Sequence, residues 1–411
     1  MPRNHFPIPN HLLKPSRFLN HRADPAWLFL ATAAVLAAGT NAQWIVFMPR
    51  LVDDLQLEPY QLALLGVALE LSGLLGEIPT GALADLVSRR LAIICSFVVM
   101  GPIMALAGVF EGFWLIALTQ VGWGLAWTLH SGADVAWLTD ELRDPDRVDR
   151  LLITRAKVQL AANAVGVPIA LVLVAATTRT TAIVLAGGLI SVWGLVLAMT
   201  MPETGFKRTT SAAAAEFKRI VVLGTKLTAR TRPLRLLAIS SLFFALGSGV
   251  VDHLDLARLV EAGIPSTFDE VFLYGLLALA QAAVGIVLVR LVERRFIEAP
   301  AALVLSLLML GAGAAIAVVA GASVVWVVFV GLVSQEALRM TAEPFITMIT
   351  NAHSESAVRA TMLSFMSQAY AIGEILSGIS LGVLASVAGI GPAFAVGAAI
   401  VALGSVISSR I

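Results

Sequence analysis

Apolar stretches about as long as a bilayer is thick alternate with short polar connections along almost the whole chain. Reading runs of about 20 apolar residues as membrane-spanning helices, the pattern predicts spans at 27–48, 60–80, 91–109, 113–138, 158–175 and 181–201. After a polar connection, further spans fall at 236–256, 271–291, 301–320, 324–349, 362–385 and 391–407. The predicted fold is therefore an all-α integral membrane protein with twelve transmembrane helices in two six-helix halves. Residues 1–25 are polar and basic, hold several prolines and show no apolar period, so a disordered basic tail is expected there. The first span runs on through Trp44, Ile45, Val46 and Phe47, longer than a cleaved signal segment, and is expected to remain in the chain.

Domain boundaries follow from the same pattern. Residues 26–201 form the N-terminal bundle, 202–235 a linker and 236–411 the C-terminal bundle. Within the linker, apolar residues recur at helical spacing from Ala212 to Thr228 among Glu216, Lys218, Arg219 and Lys226, which predicts an amphipathic helix on the membrane surface. The halves also repeat weakly, Arg89-Arg90 aligning with Arg294-Arg295 and Ala133-Asp134 with Ala342-Glu343.

Composition sharpens the class. Hydrophobic residues make up 58% of the chain and charged residues 13%, with a mean hydropathy of +0.87, against about 45–50% and about 25% in soluble domains. A net charge of +1 with the charges gathered in connections argues against nucleic-acid binding. The single cysteine, Cys95, lies in an apolar run and reads as a small buried hydrophobe; no intrachain disulfide is possible. Arg143, Arg147, Arg150 and the basic residues of 207–235 fall in alternate connections, while the intervening ones hold only Arg50, Arg179 and Arg258. Because basic residues resist translocation, the richer side is expected in the cytoplasm. An even number of spans then places both termini there, in the cell (inner) membrane of a bacterium.

Charges inside the spans are the candidate chemistry, since a carboxylate at a helix centre costs about 2.5–3.5 kcal/mol and needs a partner, a wet cavity or a proton. Glu70 shares a helix face with Gly66, Gly73 and Glu77; it reads either as a proton-exchanging site or as a hydrogen-bonded packing residue. His130 and Asp134 stand four apart in the fourth span, where they relay a proton or pair for burial. Two such ligands without a further His or Cys do not form a metal site, and no metal is expected. In the tenth span Arg339 follows Glu336 by three residues and precedes Glu343 by four, so it can bridge both acids or bind an anionic substrate. Gln368, Tyr370 and Glu374 lie in the eleventh span, and Asn41 and Gln43 in the first are further cavity candidates. Asp252, His253 and Asp255 are placed at the outer mouth of the seventh span.

One connection carries a motif. The stretch from Gly81 to Arg90 reads Gly-Ala-Leu-Ala-Asp-Leu-Val-Ser-Arg-Arg. It resembles the loop between helices 2 and 3 of the major facilitator superfamily, with pattern Gly, any, Leu, Ala, Asp, basic, any, Gly, Arg, basic. Gly81, Leu83, Ala84, Asp85, Arg89 and Arg90 match, whereas Leu86 and Ser88 depart. The resemblance implies two pseudo-symmetric bundles with a substrate site between them near the midplane. It further implies that Asp85 docks at the start of helix 11 and Arg89 pairs with Asp140 or Glu141 as a cytoplasmic gate, and that Glu374 faces Glu70. Two marks of the superfamily's drug and proton antiporters are degraded: Gln120-Val121-Gly122 has no preceding arginine, and Gly166-Val167-Pro168 replaces a Gly-Pro pair.

The expected function is secondary active transport by alternating access, driven by a proton gradient and without cofactor or covalent catalysis. Proton-coupled export of a small organic or amphipathic compound is the leading expectation, with Glu70, Asp134, Glu374 and His130 as coupling candidates. Uptake of a metabolite, anionic if Arg339 binds it, is the alternative. A transport-inactive sensor or a membrane-embedded enzyme is the reading from another class, although no nucleophile with its base and no phosphate-binding Gly-rich loop is present. The expected partners are the substrate and the lipid bilayer, and the protein is expected as a monomer.

Overall fold

The structure is a computed structural model that describes residues 23–206, 213–296, 298–355 and 358–411. Of the expected N-terminal tail, residues 1–22 lie outside the described residues. All regular structure among the described residues is helical: α1 (Pro25–Pro49, continued by a π-helical turn over Arg50–Asp54), α2 (Pro59–Leu86), α3 (Arg89–Val109), α4 (Phe113–His130), α5 (Ala133–Leu142), α6 (Pro145–Ala176) and α7 (Arg179–Thr200). Then follow α8 (Ala213–Arg230), α9 (Arg232–Glu261), α10 (Glu270–Phe296), α11 (Ala301–Gly321), α12 (Val325–Ala352), α13 (Arg359–Ala388) and α14 (Ile390–Ser408).

Eleven of the described helices are long and apolar enough to cross a membrane. The twelfth crossing, predicted as one helix over 113–138, is split into α4 and α5. Gly132 breaks it at φ +78°, a left-handed conformation that a Cβ would disfavour. Other helices outrun their predicted ends. Helix α2 passes through Gly81 and ends at Leu86, so most of the expected loop is helical and the turn is confined to Val87 and Ser88. Helix α6 starts at Pro145 instead of 158, with the Asp144 carboxylate accepting from Arg147 N at 3.1 Å and proline preset for the first turn. Helix α9 reaches Glu261. Hydropathy marks where a helix lies in hydrocarbon, but the backbone keeps its own hydrogen bonds and continues into the polar zone until a cap or turn stops it.

The two halves pack alike. In the first, α3 lies on α7, α1 on α6 and α7, α2 on α4, and α3 on α4. The second repeats this with α11 on α14, α9 on α13 and α14, α10 on α12, and α11 on α12. Between halves, α2 meets α13 and α6 meets α10. One detail repeats to the side chain. Arg50 beyond α1 donates to Phe110 O at the end of α3 (3.3 Å), and Arg258 near the end of α9 donates to Val319 O (3.1 Å) at the end of α11. In each half an arginine satisfies carbonyls that a helix end leaves without partners. The linker helix α8 touches α2, α9 and α13 and so contacts both halves.

Two faces of the bundle can be told apart by their charges. The Arg89 face carries Arg89, Arg90, Arg143, Arg147, Arg150, Arg232, Arg235 and Arg359; the Arg179 face carries Arg50, Arg179 and Arg258.

Candidate functional site

Helices α9, α12 and α13 wall a cavity of about 530 Å³. Its lining descends α12 from Glu336 to Thr347, α13 from Tyr370 to Leu363 and α9 from Phe244 to Ser241. Each descent heads toward the Arg89 face, so the cavity leads that way.

A charged cluster stands at its deep end. Arg339 donates through Nε to Glu336 Oε2 (2.7 Å) and through Nη2 to Glu336 Oε1 (3.0 Å), a bidentate pair one helical turn apart. Its Nη1 donates to the Tyr370 hydroxyl at 3.3 Å, and its Nη2 lies 3.6 Å from Asp252 Oδ1. Glu374 is within electrostatic reach of Asp252, Glu70, Arg339 and Glu336. The cluster therefore draws on α2 of one half and α9, α12 and α13 of the other. Asp252 was expected at the outer mouth; because α9 extends to Glu261, it sits deeper and pairs with Arg339. The expected bridge from Arg339 to Glu343 is not made, since both guanidinium edges are taken; Glu343 lies exposed on the cavity wall.

The halves close on each other toward the Arg179 face. Tyr60 N donates to Ser386 Oγ at 2.8 Å and Trp44 Nε1 to the Tyr274 hydroxyl at 3.2 Å. Glycines make the seam tight: a Cβ on Gly378 would run into Val67 and the Ala63 carbonyl, and one on Gly382 into Ala63. Gly66 is similarly covered by the His253 ring. At the rim, Arg179 holds Asp53 (2.8 Å) and Asp54 (2.7 Å) of its own half and Glu270 (2.7 Å) and Asp269 (3.6 Å) of the other. This clamp was not foreseen from sequence. Its only signal was a lone arginine in a connection that basic residues otherwise avoid.

At the Arg89 face the described contacts of the motif stay within one half. Arg89 Nη1 pairs with Asp140 Oδ2 at 2.5 Å and its Nη2 with Asp85 Oδ1 at 3.0 Å. Asp85 thus turns to Arg89 instead of the start of α13, where the resemblance placed it. Glu141 does not join Arg89; it accepts from Thr204 N, Thr204 Oγ1 and Gly205 N. Arg90 donates to Ala198 O at 2.6 Å and fastens α3 to α7. Gly81 lies mid-helix with open space around it.

His130 and Asp134 fall on either side of the break, yet Nε2 and Oδ2 come within 3.5 Å. The stronger partner of Asp134 is Arg155 at 2.7 Å, whose guanidinium also lies 5.1 Å from the centre of the Phe29 ring. Arg155 was missed because the predicted fifth span began after it. Asn41, Gln43 and Gln368 are not among the cavity residues. Gln43 is fully buried, and neither of its amide atoms has a partner among the described residues.

Comparison with known proteins places this architecture. A variant of the nucleoside transporter NupG superposes with a TM-score of 0.78 at 10% identity, covering 94% of this chain and 99% of that one. A bacterial homologue of the human lysosomal transporter Spinster, in an inward-facing and unoccupied conformation, gives 0.71 at 14% identity, covering 94% and 97%. A variant of the peptide transporter POT gives 0.72 at 14%, covering 94% and 93%. A search among curated proteins returns no match. Such identities establish the fold alone. The sequence profile of the Major Facilitator Superfamily, however, matches residues 28–378, most of the chain, and this protein therefore belongs to that superfamily of membrane transporters.

Proposed function

We propose that the chain exports a small organic compound from the cytoplasm in exchange for protons, with Glu70 and Glu374 carrying the coupling. The observation that carries this reading is that these carboxylates, one from each half, lie within electrostatic reach of each other, and that Glu374 is also within reach of Asp252, Arg339 and Glu336, the last two of which line the cavity. Groups at such a seam change their exposure to water when the halves rock, so one motion both moves the compound and loads or unloads the proton. The excess of arginine at the Arg89 face supports placing that face, and both termini, in the cytoplasm of the cell membrane. On this orientation the structure represents a state open to the cytoplasm and closed outside. Arg179 then acts as the outer clamp, and Arg89 with Asp85 and Asp140 prepares the inner one. The energy source is the proton gradient, and no cofactor takes part. Uptake of an anion by Arg339 is less well supported, because Glu336, Asp252 and Tyr370 already engage that side chain. Nucleosides and peptides, the cargo named for the fold neighbours, do not follow from a shared fold.

Proton flux in reconstituted vesicles under an imposed pH gradient tests the reading, with cationic, neutral and anionic compounds added in turn. Compound-evoked flux is expected in the parent and is expected to fall by about tenfold or more in Glu374→Gln and Glu70→Gln, the scale of losing a proton-transfer group. Asp134→Asn, whose carboxylate serves Arg155, is expected to retain flux per compound moved. Flux that survives both glutamine substitutions sinks the assignment of the coupling site.

A further inference from the structure

The charge balance of the cavity identifies the class of compound it takes, given that the chain transports as proposed above. Among the described lining residues, Arg339 is the only cationic side chain. Its donors are directed to Glu336 and Tyr370, with Asp252 close behind, so little of its charge is left for a ligand. Glu343 stands exposed on the same wall about one turn beyond Arg339 toward the mouth and has no ion-pair partner among the described residues. Beyond the Arg339 group, Glu374 and Glu70 add further carboxylates within electrostatic reach. An anion entering this space would meet surplus negative charge, whereas a cation would relieve it.

An independent observation lies on the α9 wall of the same cavity. The Ser241 side chain is 2% exposed, lines the cavity, and its Oγ has no hydrogen-bond partner among the described residues. A buried hydroxyl without a partner is uncommon and awaits one. An N–H donor on a bound ammonium would use its lone pair. The remaining walls suit the body of such a molecule: Phe244 and Tyr370 contribute aromatic side chains to the lining, and Met340 and Met366 are flexible, polarisable side chains that adapt to varied shapes.

We propose that the transported compound is an amphipathic organic cation whose charged nitrogen sits between Glu343 and Ser241 and whose hydrophobic body lies against Phe244, Met340, Met366 and Tyr370. Cation and proton then relieve the same surplus of negative charge, so occupancy by one disfavours the other, and exchange follows from electrostatics.

Equilibrium dialysis with the detergent-purified full chain tests the assignment apart from transport. The probes are three cations (tetraphenylphosphonium, ethidium and protonated propranolol) and tetraphenylborate, which matches the first in shape with opposite charge. Saturable binding of at least one cation is expected, weakened about tenfold in Glu343→Gln with melting temperature unchanged, and no competition by tetraphenylborate. Ser241→Ala is expected to weaken propranolol, which has N–H donors, and to spare tetraphenylphosphonium, which has none. Absence of cation binding across the three probes overturns the proposal, as does borate competing equally or Glu343→Gln leaving affinity unchanged. Cation binding without proton-linked movement in vesicles overturns the export reading and leaves the cation site standing. Proton-linked movement confined to neutral or anionic compounds does the reverse.

Discussion

Replacing Arg339 by leucine is expected to lower the stability of the detergent-purified protein by about 2–3 kcal/mol and to abolish transport. The substitution removes the cation that Glu336 and Asp252 share among the described residues and leaves two neighbouring acids without it. Breaking a fully buried ion pair costs about 3–5 kcal/mol. The lower figure applies because the Arg339 and Glu336 side chains are 27% and 18% exposed to the cavity, where water screens part of the repulsion. Adding Glu336→Gln to Arg339→Leu is expected to recover part of the stability by removing the uncompensated charge, but not transport. Thermal melting followed by tryptophan fluorescence reads the first effect, and vesicle uptake the second. An Arg339→Leu protein that melts like its parent would show that the cluster is not held by charge.

Replacing Arg179 by glutamine is expected to open the seam at its face. Arg179 is the described cation that spans the rim, with Asp53 and Asp54 on its own half and Asp269 and Glu270 on the other. Each acid is partly exposed, so each contact is worth little alone; the network is expected to contribute about 1–1.5 kcal/mol to closure. That corresponds to a population shift of roughly five- to tenfold. A reporter at Val67, which is buried at the seam against Gly378, measures it. In a Cys95→Ser background, Val67→Cys is expected to react with a membrane-impermeant maleimide roughly five- to tenfold faster when Arg179→Gln is present. Glu270→Gln is expected to act in the same direction and less strongly. Gly378→Leu is expected to open the seam with the clamp intact, because its side chain takes the space of Val67 and the Ala63 carbonyl. Labelling unaffected by Arg179→Gln would mean that glycine-mediated packing closes this face without help from the clamp.

Some of the site was legible from the chain and some was misplaced for definable reasons. Glu336, Arg339 and Tyr370 were selected because charge or hydroxyl in a hydrocarbon span is costly, and all three line the cavity. Arg155 and Asp252 were lost to helix ends: hydropathy located the apolar centre of α6 and α9 but not the charged turns beyond, so one residue was left out and the other placed too near the surface. Asp134 was read as a proton carrier without sight of Arg155, which pairs with it at 2.7 Å. Glu343 stood at the right spacing from Arg339, but spacing along one helix does not reveal competitors on others, and Asp252 and Tyr370 had the better geometry.

The sequence by itself determined the class, the number of crossings and the division into halves. Those depend on one-dimensional quantities: the length of an apolar run against bilayer thickness, and the avoidance of isolated charge in hydrocarbon. It also marked the Gly81–Arg90 motif by its residues in order, although only Val87 and Ser88 of that stretch lie between helices. Only the tertiary structure decided which charges meet. The Arg179 clamp joins residues from Asp53 to Glu270, far apart in the chain, and the Glu70, Asp252, Arg339 and Glu374 cluster joins four helices. Such partnerships depend on helix rotation and on which half leans where, and rotation is fixed by small-residue contacts such as Gly378 on Val67 that carry no periodic signature in the chain.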